Sequence, residues 1–147
     1  MVVASNTSPI SNLAIIGRLD LLRTQFREIC IPHAVKAELD LLGYPSARKD
    51  IQQALGEEWI NVRPLRDDKI ARLLEATLDP GEAEAIALAL ELQADLVLLD
   101  ETDGRSAAES AGLRVTGILG VLLHAFSRAR FFVSPRLQQN VLTIAGE

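Results

Sequence analysis

Residues 79–104 read DPGEAEAIALALELQADLVLLDETDG, and two periodicities follow one another inside them. From Gly81 to Leu92 the residues Ala83, Ile86, Ala87 and Leu90 recur at helical spacing. Asp79 or Gly81 is placed to begin that helix, with Pro80 in its first turn. The DLVLL run that follows is short and continuously apolar, as expected of a parallel strand covered on both faces. It ends on Asp100 and Asp103, and ETDGRSAAESAG then reads as a capped helix closing at Gly112.

The same alternation extends outward in both directions. VVAS (2–5) is an apolar strand followed by NTSP, whose polar side chains suit a turn and a helix cap. LAIIGRLDLLRTQF then carries Leu13, Ile16, Leu19, Leu22 and Phe26 at helical spacing, with a break or a close contact at Gly17. Ile29–Ile31 is a second strand turned by Pro32, leading into a helix from about His33 to Leu42. GYPSARKD (43–50) reads as loop before a short helix through IQQAL, and Trp59–Val62 is the third strand. DDKIARLLEATL reads as a helix, RVTG as a fifth strand and ILGVLLHAFSRA as a helix. The remainder, RFFVSPRLQQNVLTIAGE, reads as a turn with a small helix or an extended tail. Short strands separated by helices predict an α/β fold with a mostly parallel sheet and right-handed crossovers, whose active crevice lies outside the carboxyl ends of the strands.

A chain of 147 residues that is 48% apolar and 24% charged is read as one domain spanning 1–147. Its lone cysteine, Cys30, excludes an internal disulfide framework and reads as a buried, inert thiol. The N-terminus lacks a basic run ahead of a long apolar core, and no stretch is long and apolar enough to span a membrane. The expectation is a cytoplasmic protein with no membrane partner. Fifteen basic against twenty acidic residues give a net charge of −5, which argues against holding nucleic acid by a broad electrostatic surface. Lys36, Arg48 and Lys49 remain candidates for a small basic rim, and RARFFVSPR (128–136) mixes arginines with aromatics that could pack or meet RNA.

The acids sort themselves by this topology. Asp100 directly follows a strand, and Asp103 sits three residues on, at the entrance to the next helix. Asn6 follows the first strand. Glu84 lies early in the helix before the DLVLL strand and can turn to the crevice, whereas Glu82 reads as a first-turn acid interacting with the helix dipole. Glu38 lies in the second helix on the same edge. Asn6, Glu38, Glu84, Asp100 and Asp103 are therefore expected to meet at one end of the sheet. Each also has a plainer role: Thr102 or Asp103 as a cap, Glu38 as an exposed neighbour of Lys36, Asn6 as an Asx-turn or cap, with Ser8 the alternative cap. His33 and His124 read as packing or surface residues. Clustered carboxylates repel unless cations neutralise them, and an all-oxygen set suits Mg²⁺ or Mn²⁺. Phosphodiester hydrolysis is the chemistry that most often needs such a site, which points to a metal-dependent nuclease or phosphatase.

VVASNTSPI, IPHAVKAEL, GEAEAIALALELQADLVLLDETDG and GLRVTGILGVLL, with their NTSP, GEAEAI and LLD-x-x-x-GR motifs, occur in an order that resembles PIN-domain proteins, in particular a prokaryotic, toxin-type branch. The resemblance covers about residues 2–125. It implies a three-layer α/β/α sandwich with a five-stranded sheet in the order 3-2-1-4-5. It also implies a ribonuclease dependent on Mg²⁺ or Mn²⁺ that hydrolyses RNA, often the toxin partnered by an antitoxin protein, and frequently a homodimer. Carried over by position, the first-strand acid falls on Asn6, with Thr7 and Ser8 the following hydroxyls. Glu38, Glu84, Asp100 and Asp103 supply the remaining acids. Apart from the resemblance, Arg105 follows Gly104 and reads as an anchoring or structural residue able to approach a phosphate or pair with Asp100 or Asp103. The departure is Asn6, which offers an oxygen but no charge where the family usually has aspartate. That substitution leaves a non-catalytic module binding RNA or a protein as the alternative.

Overall fold

The computed structural model describes residues 1–128, so the expected C-terminal turn and tail, and the Phe131–Phe132 pair, lie outside the described residues. Five strands, β1 (Val3–Ser5), β2 (Ile29–Ile31), β3 (Ile60–Val62), β4 (Leu96–Leu98) and β5 (Val115–Thr116), form one sheet in the order β3-β2-β1-β4-β5. Every pairing is parallel, and Ser5 lies opposite Leu98. The connections are helical: α1 (Thr7–Ile15), α2 (Asp20–Phe26), α3 (His33–Asp40), α4 (Pro45–Gly56), α5 (Lys69–Leu74), α6 (Pro80–Glu91), α7 (Thr102–Ser110) and α8 (Ile118–Arg128).

Alternation along the strands builds two cores and hence three layers. Val3, Ile29, Ile31 and Leu98 pack on one face with Leu13 of α1 and Ile51 of α4. Ala4, Val97 and Leu99 pack on the other with Ile86 and Ala89 of α6 and Ala108 of α7. Cys30 is buried, and desolvation pushes its thiol pKa up despite the opposing effect of Arg63, consistent with an inert sulfur.

Two boundaries were legible as glycines. At Gly17, with φ +74°, the chain leaves α1 in a left-handed turn. Gly17 N–H donates to Ala14 at 3.0 Å and Arg18 N–H to Leu13 at 2.8 Å, so two helix-end carbonyls are satisfied. Gly112, at φ +85°, ends α7 with the matching pair of bonds, to Glu109 and Ala108, each 3.0 Å. Two other expectations need correcting. The polar NTSP segment is not a turn ahead of the helix: α1 already begins at Thr7, directly after Asn6. GYPSARKD is not a loop, because α4 begins at Pro45, whose fixed φ and missing N–H suit the first helical turn, and Ala47 joins Ile51 and Ala54 on its buried face.

Candidate functional site

Parallel pairing aligns the strand ends, so the segments after β1, β2, β4 and β5 emerge on one edge. Asn6 leaves β1 there, tied to its neighbour by an N–H bond to the Leu98 carbonyl at 3.0 Å. It occupies the cap position of α1, yet its side chain makes no capping bond. Asn6 is 3% exposed, and its Oδ1 is buried without a hydrogen-bond partner. An oxygen left unpaired in this way is costly unless something positive approaches it.

Glu38 reaches the same place from α3. Thr7 Oγ1 donates to its Oε2 at 2.7 Å, which fixes the carboxylate. Gly81, in the first turn of α6, leaves room for both groups: a Cβ there would stand 2.5 Å from Glu38 Oε1 and 3.0 Å from Asn6 Oδ1. The niche between these oxygens is thus a space that any other residue at position 81 would fill. Ser8 follows in the first turn of α1, half-buried, with its carbonyl accepting from Ser11 Oγ at 3.3 Å.

Glu84 extends from α6 towards α3, where its Oε1 accepts from the Ala34 N–H at 3.2 Å. The carboxylate therefore satisfies an open donor at a helix start. Asp100, directly after β4 and Leu99, uses Oδ1 to accept from Ile118 N–H at 2.7 Å, pinning the start of α8. Its Oδ2 is the second buried oxygen without a partner among the described residues. Gly117 is again the permissive residue, since a Cβ there would lie 2.8 Å from Asp100 Oδ1 and 2.9 Å from Arg105 Nη1. Asp100, Arg105, Thr102, Ser106 and Asn12 border a cavity of about 500 Å³ at this edge.

Asp103 stands in the first turn of α7. It lines a separate hollow with Asp79, Glu82, Glu101 and Thr102. Glu82, 5% exposed, closes the floor of that hollow and completes a capping box: Asp79 Oδ1 accepts from its N–H at 2.8 Å, and Asp79 N–H donates to its carboxylate at 3.3 Å. Desolvation raises the Glu82 pKa, and the charges of Asp79, Glu101 and Asp103 add to that rise.

Asn6, Glu38, Glu84, Asp100 and Asp103 are the residues expected to meet here. The five residues belong to one edge, but among the described residues no three Asp, Glu, His or Cys side chains are arranged to hold one ion. Asp103 and Glu82 line one hollow, one Glu84 oxygen accepts from Ala34 N–H at the start of α3, and position 6 carries an amide. Of the expected rim cations, Lys36 pairs with Asp40 at 2.6 Å and Arg48 donates to the Leu42 carbonyl at 3.2 Å. Gly81 and Gly117 are the site residues that sequence reading missed. The signal for Gly117 was its place immediately after a strand, where a small residue permits close approach.

What remains fits a hard divalent cation in donor type. Asn6 Oδ1 and Asp100 Oδ2 are buried, unpaired oxygens at the ends of adjacent strands, and Glu38 Oε1 shares the Gly81 niche with the former.

A family model described as a PIN domain matches residues 2–147. Among solved structures, the chain is similar to a PilT N-terminus domain protein of the hyperthermophilic archaeon Sulfolobus solfataricus P2. The identity is 23% and the TM-score 0.59, with 83% of this chain and 91% of that chain covered. At that identity the likeness concerns the fold. No curated protein matches the chain.

Proposed function

The chain belongs to the PIN-domain family, and from that premise we propose that it is a ribonuclease dependent on Mg²⁺ or Mn²⁺, acting on RNA at the edge where β1 and β4 end. The observation that carries this reading is the pair of buried, unpaired oxygens, Asn6 Oδ1 and Asp100 Oδ2, on neighbouring strand ends. A bound cation would supply electrophilic stabilisation of the phosphate and a more acidic water. The residues named for it are Asp100, Glu38 and Asn6, with Glu84 and Asp103 flanking. Thr7 holds Glu38 in place, and Arg105, beside Asp100, stands where it can meet a phosphate oxygen.

Within this reading the protein is a toxin-type nuclease of the cytoplasm, a homodimer held in check by an antitoxin protein. Among the described residues no helix is long and apolar enough to cross a membrane. A second reading, a non-catalytic module that binds RNA or a protein, is favoured by the neutral Asn6 and by the lack of a three-carboxylate group among the described residues.

Metal titration combined with RNA cleavage separates the two. Asp100→Asn keeps an oxygen for Ile118 N–H but removes the charge, so it should fold normally and lose about 100-fold or more of the cleavage rate. Asn6→Asp should raise that rate. Tight RNA binding without cleavage under either cation, in the wild type and in Asn6→Asp alike, establishes the binding module instead.

A further inference from the structure

The Asn6 side chain presents a problem that aspartate would present differently. Its Oδ1 and Glu38 Oε1 both border the niche over Gly81, and no donor is bonded to the buried Oδ1. Two acceptor oxygens sharing such a space are unfavourable unless a cation lies between them. Glu38 cannot withdraw freely, because Thr7 Oγ1 holds its other oxygen at 2.7 Å. Asn6 can adapt. Half a turn about its Cβ–Cγ bond exchanges Oδ1 for Nδ2 in the same volume and directs an N–H towards Glu38. Aspartate, an acceptor on both sides, has no such alternative.

We propose that the Asn6 amide is a two-position switch: it donates to Glu38 when no cation is bound, and turns its oxygen to the ion when one binds. The second position rests on the metal-site reading above; the first does not. The consequence is a pocket that stays assembled without metal and takes up the cation with lower affinity than an all-carboxylate pocket, because the amide must exchange one favourable partner for another.

The test uses ¹⁵N-labelled full-length protein, with the Asn6 side-chain NH₂ signals assigned by their loss in Asn6→Asp. In EDTA one Asn6 proton should be shifted downfield and protected from exchange, and Glu38→Ala should abolish both effects. Saturating Mg²⁺ should reverse them in the wild type. Asn6→Asp should melt about 5 °C below the wild type in EDTA, a gap that Mg²⁺ closes, and should bind Mg²⁺ about tenfold more tightly. Equal melting temperatures in EDTA, or Asn6 signals indifferent to Glu38→Ala, overturn the switch. So does an unchanged Asn6 pattern while backbone signals report Mg²⁺ saturation. If the amide turns as described and RNA is never cleaved, the switch stands and the nuclease reading is what fails.

Discussion

Gly81 shows how much of the site depends on the absence of a single methyl group. Gly81→Ala would set a carbon 2.5 Å from Glu38 Oε1, and the carboxylate is the part able to give way. The fold should survive, because the obstructed atom ends a flexible side chain and alanine is about 1 kcal/mol better than glycine in a helix. Loss of the Thr7–Glu38 bond and about a tenfold weaker Mn²⁺ affinity are expected, read by calorimetric titration beside urea denaturation. Unaltered affinity would remove the niche from the site. Glu82 makes a prediction of a different kind. Its carboxyl is raised above the ordinary value of 4.5, by desolvation first and then by its acidic neighbours. The folded chain therefore keeps this proton at a pH where the unfolded chain has released it, and stability contributed below about pH 4.5 is lost as pH climbs through the raised value. Glu82→Gln keeps an oxygen for the capping box and does not titrate. Plotted against pH from 4 to 8, the stability of this variant minus that of the wild type should rise; a flat difference would falsify the assignment.

At the scale of elements, α6 was the most legible part of the chain, and also the part whose contacts were least foreseeable. Asp79, Pro80 and the apolar spacing announce a capped helix, and α6 runs from Pro80 with Asp79 and Glu82 in a reciprocal cap. Glu84 was expected in the crevice because it lies early in that helix. Its Oε1 accepts from Ala34 N–H at the start of α3, directly after β2, a partner set by how two helices dock and invisible to spacing along one of them. This gives Glu84 a measurable structural role. Glu84→Ala should destabilise the protein by about 1–2 kcal/mol in urea with EDTA present, since it leaves the start of α3 short of an acceptor. Glu84→Gln should recover part of that loss. If Glu84→Ala changes stability only when Mg²⁺ is present, the carboxylate serves the cation and not the helix. The misread GYPSARKD segment teaches the converse point: Gly and Pro together suggested a loop, while Pro45 was opening a helix whose apolar face was too sparse to announce itself.

For the molecule as a whole, the order of elements carried the topology, because alternating helices and parallel strands leave few arrangements, and the order β3-β2-β1-β4-β5 places the ends of β1 and β4 side by side. That is why Asn6 and Asp100 could be paired from sequence. Which way a loop acid turns after leaving its strand is decided by local packing, and spacing along the chain does not foresee that Asp103 shares a hollow with Glu82. Charge acts at this same scale. With a net charge of −5, several basic side chains are already committed: Arg18 to Asp20, Arg23 to Glu57, Lys36 to Asp40 and Arg72 to Asp68. RNA held chiefly through a cation at the strand ends would displace few counterions. Its affinity in constant Mg²⁺ should then fall with a log–log salt slope of magnitude about 2 or less, as for two or three neutralised phosphates on a single strand. Affinity in EDTA should be too weak to measure under the same conditions. A slope near 5, or binding that ignores EDTA, would mean that a basic surface holds the RNA, and the strand-end edge would lose its claim to be where the substrate docks.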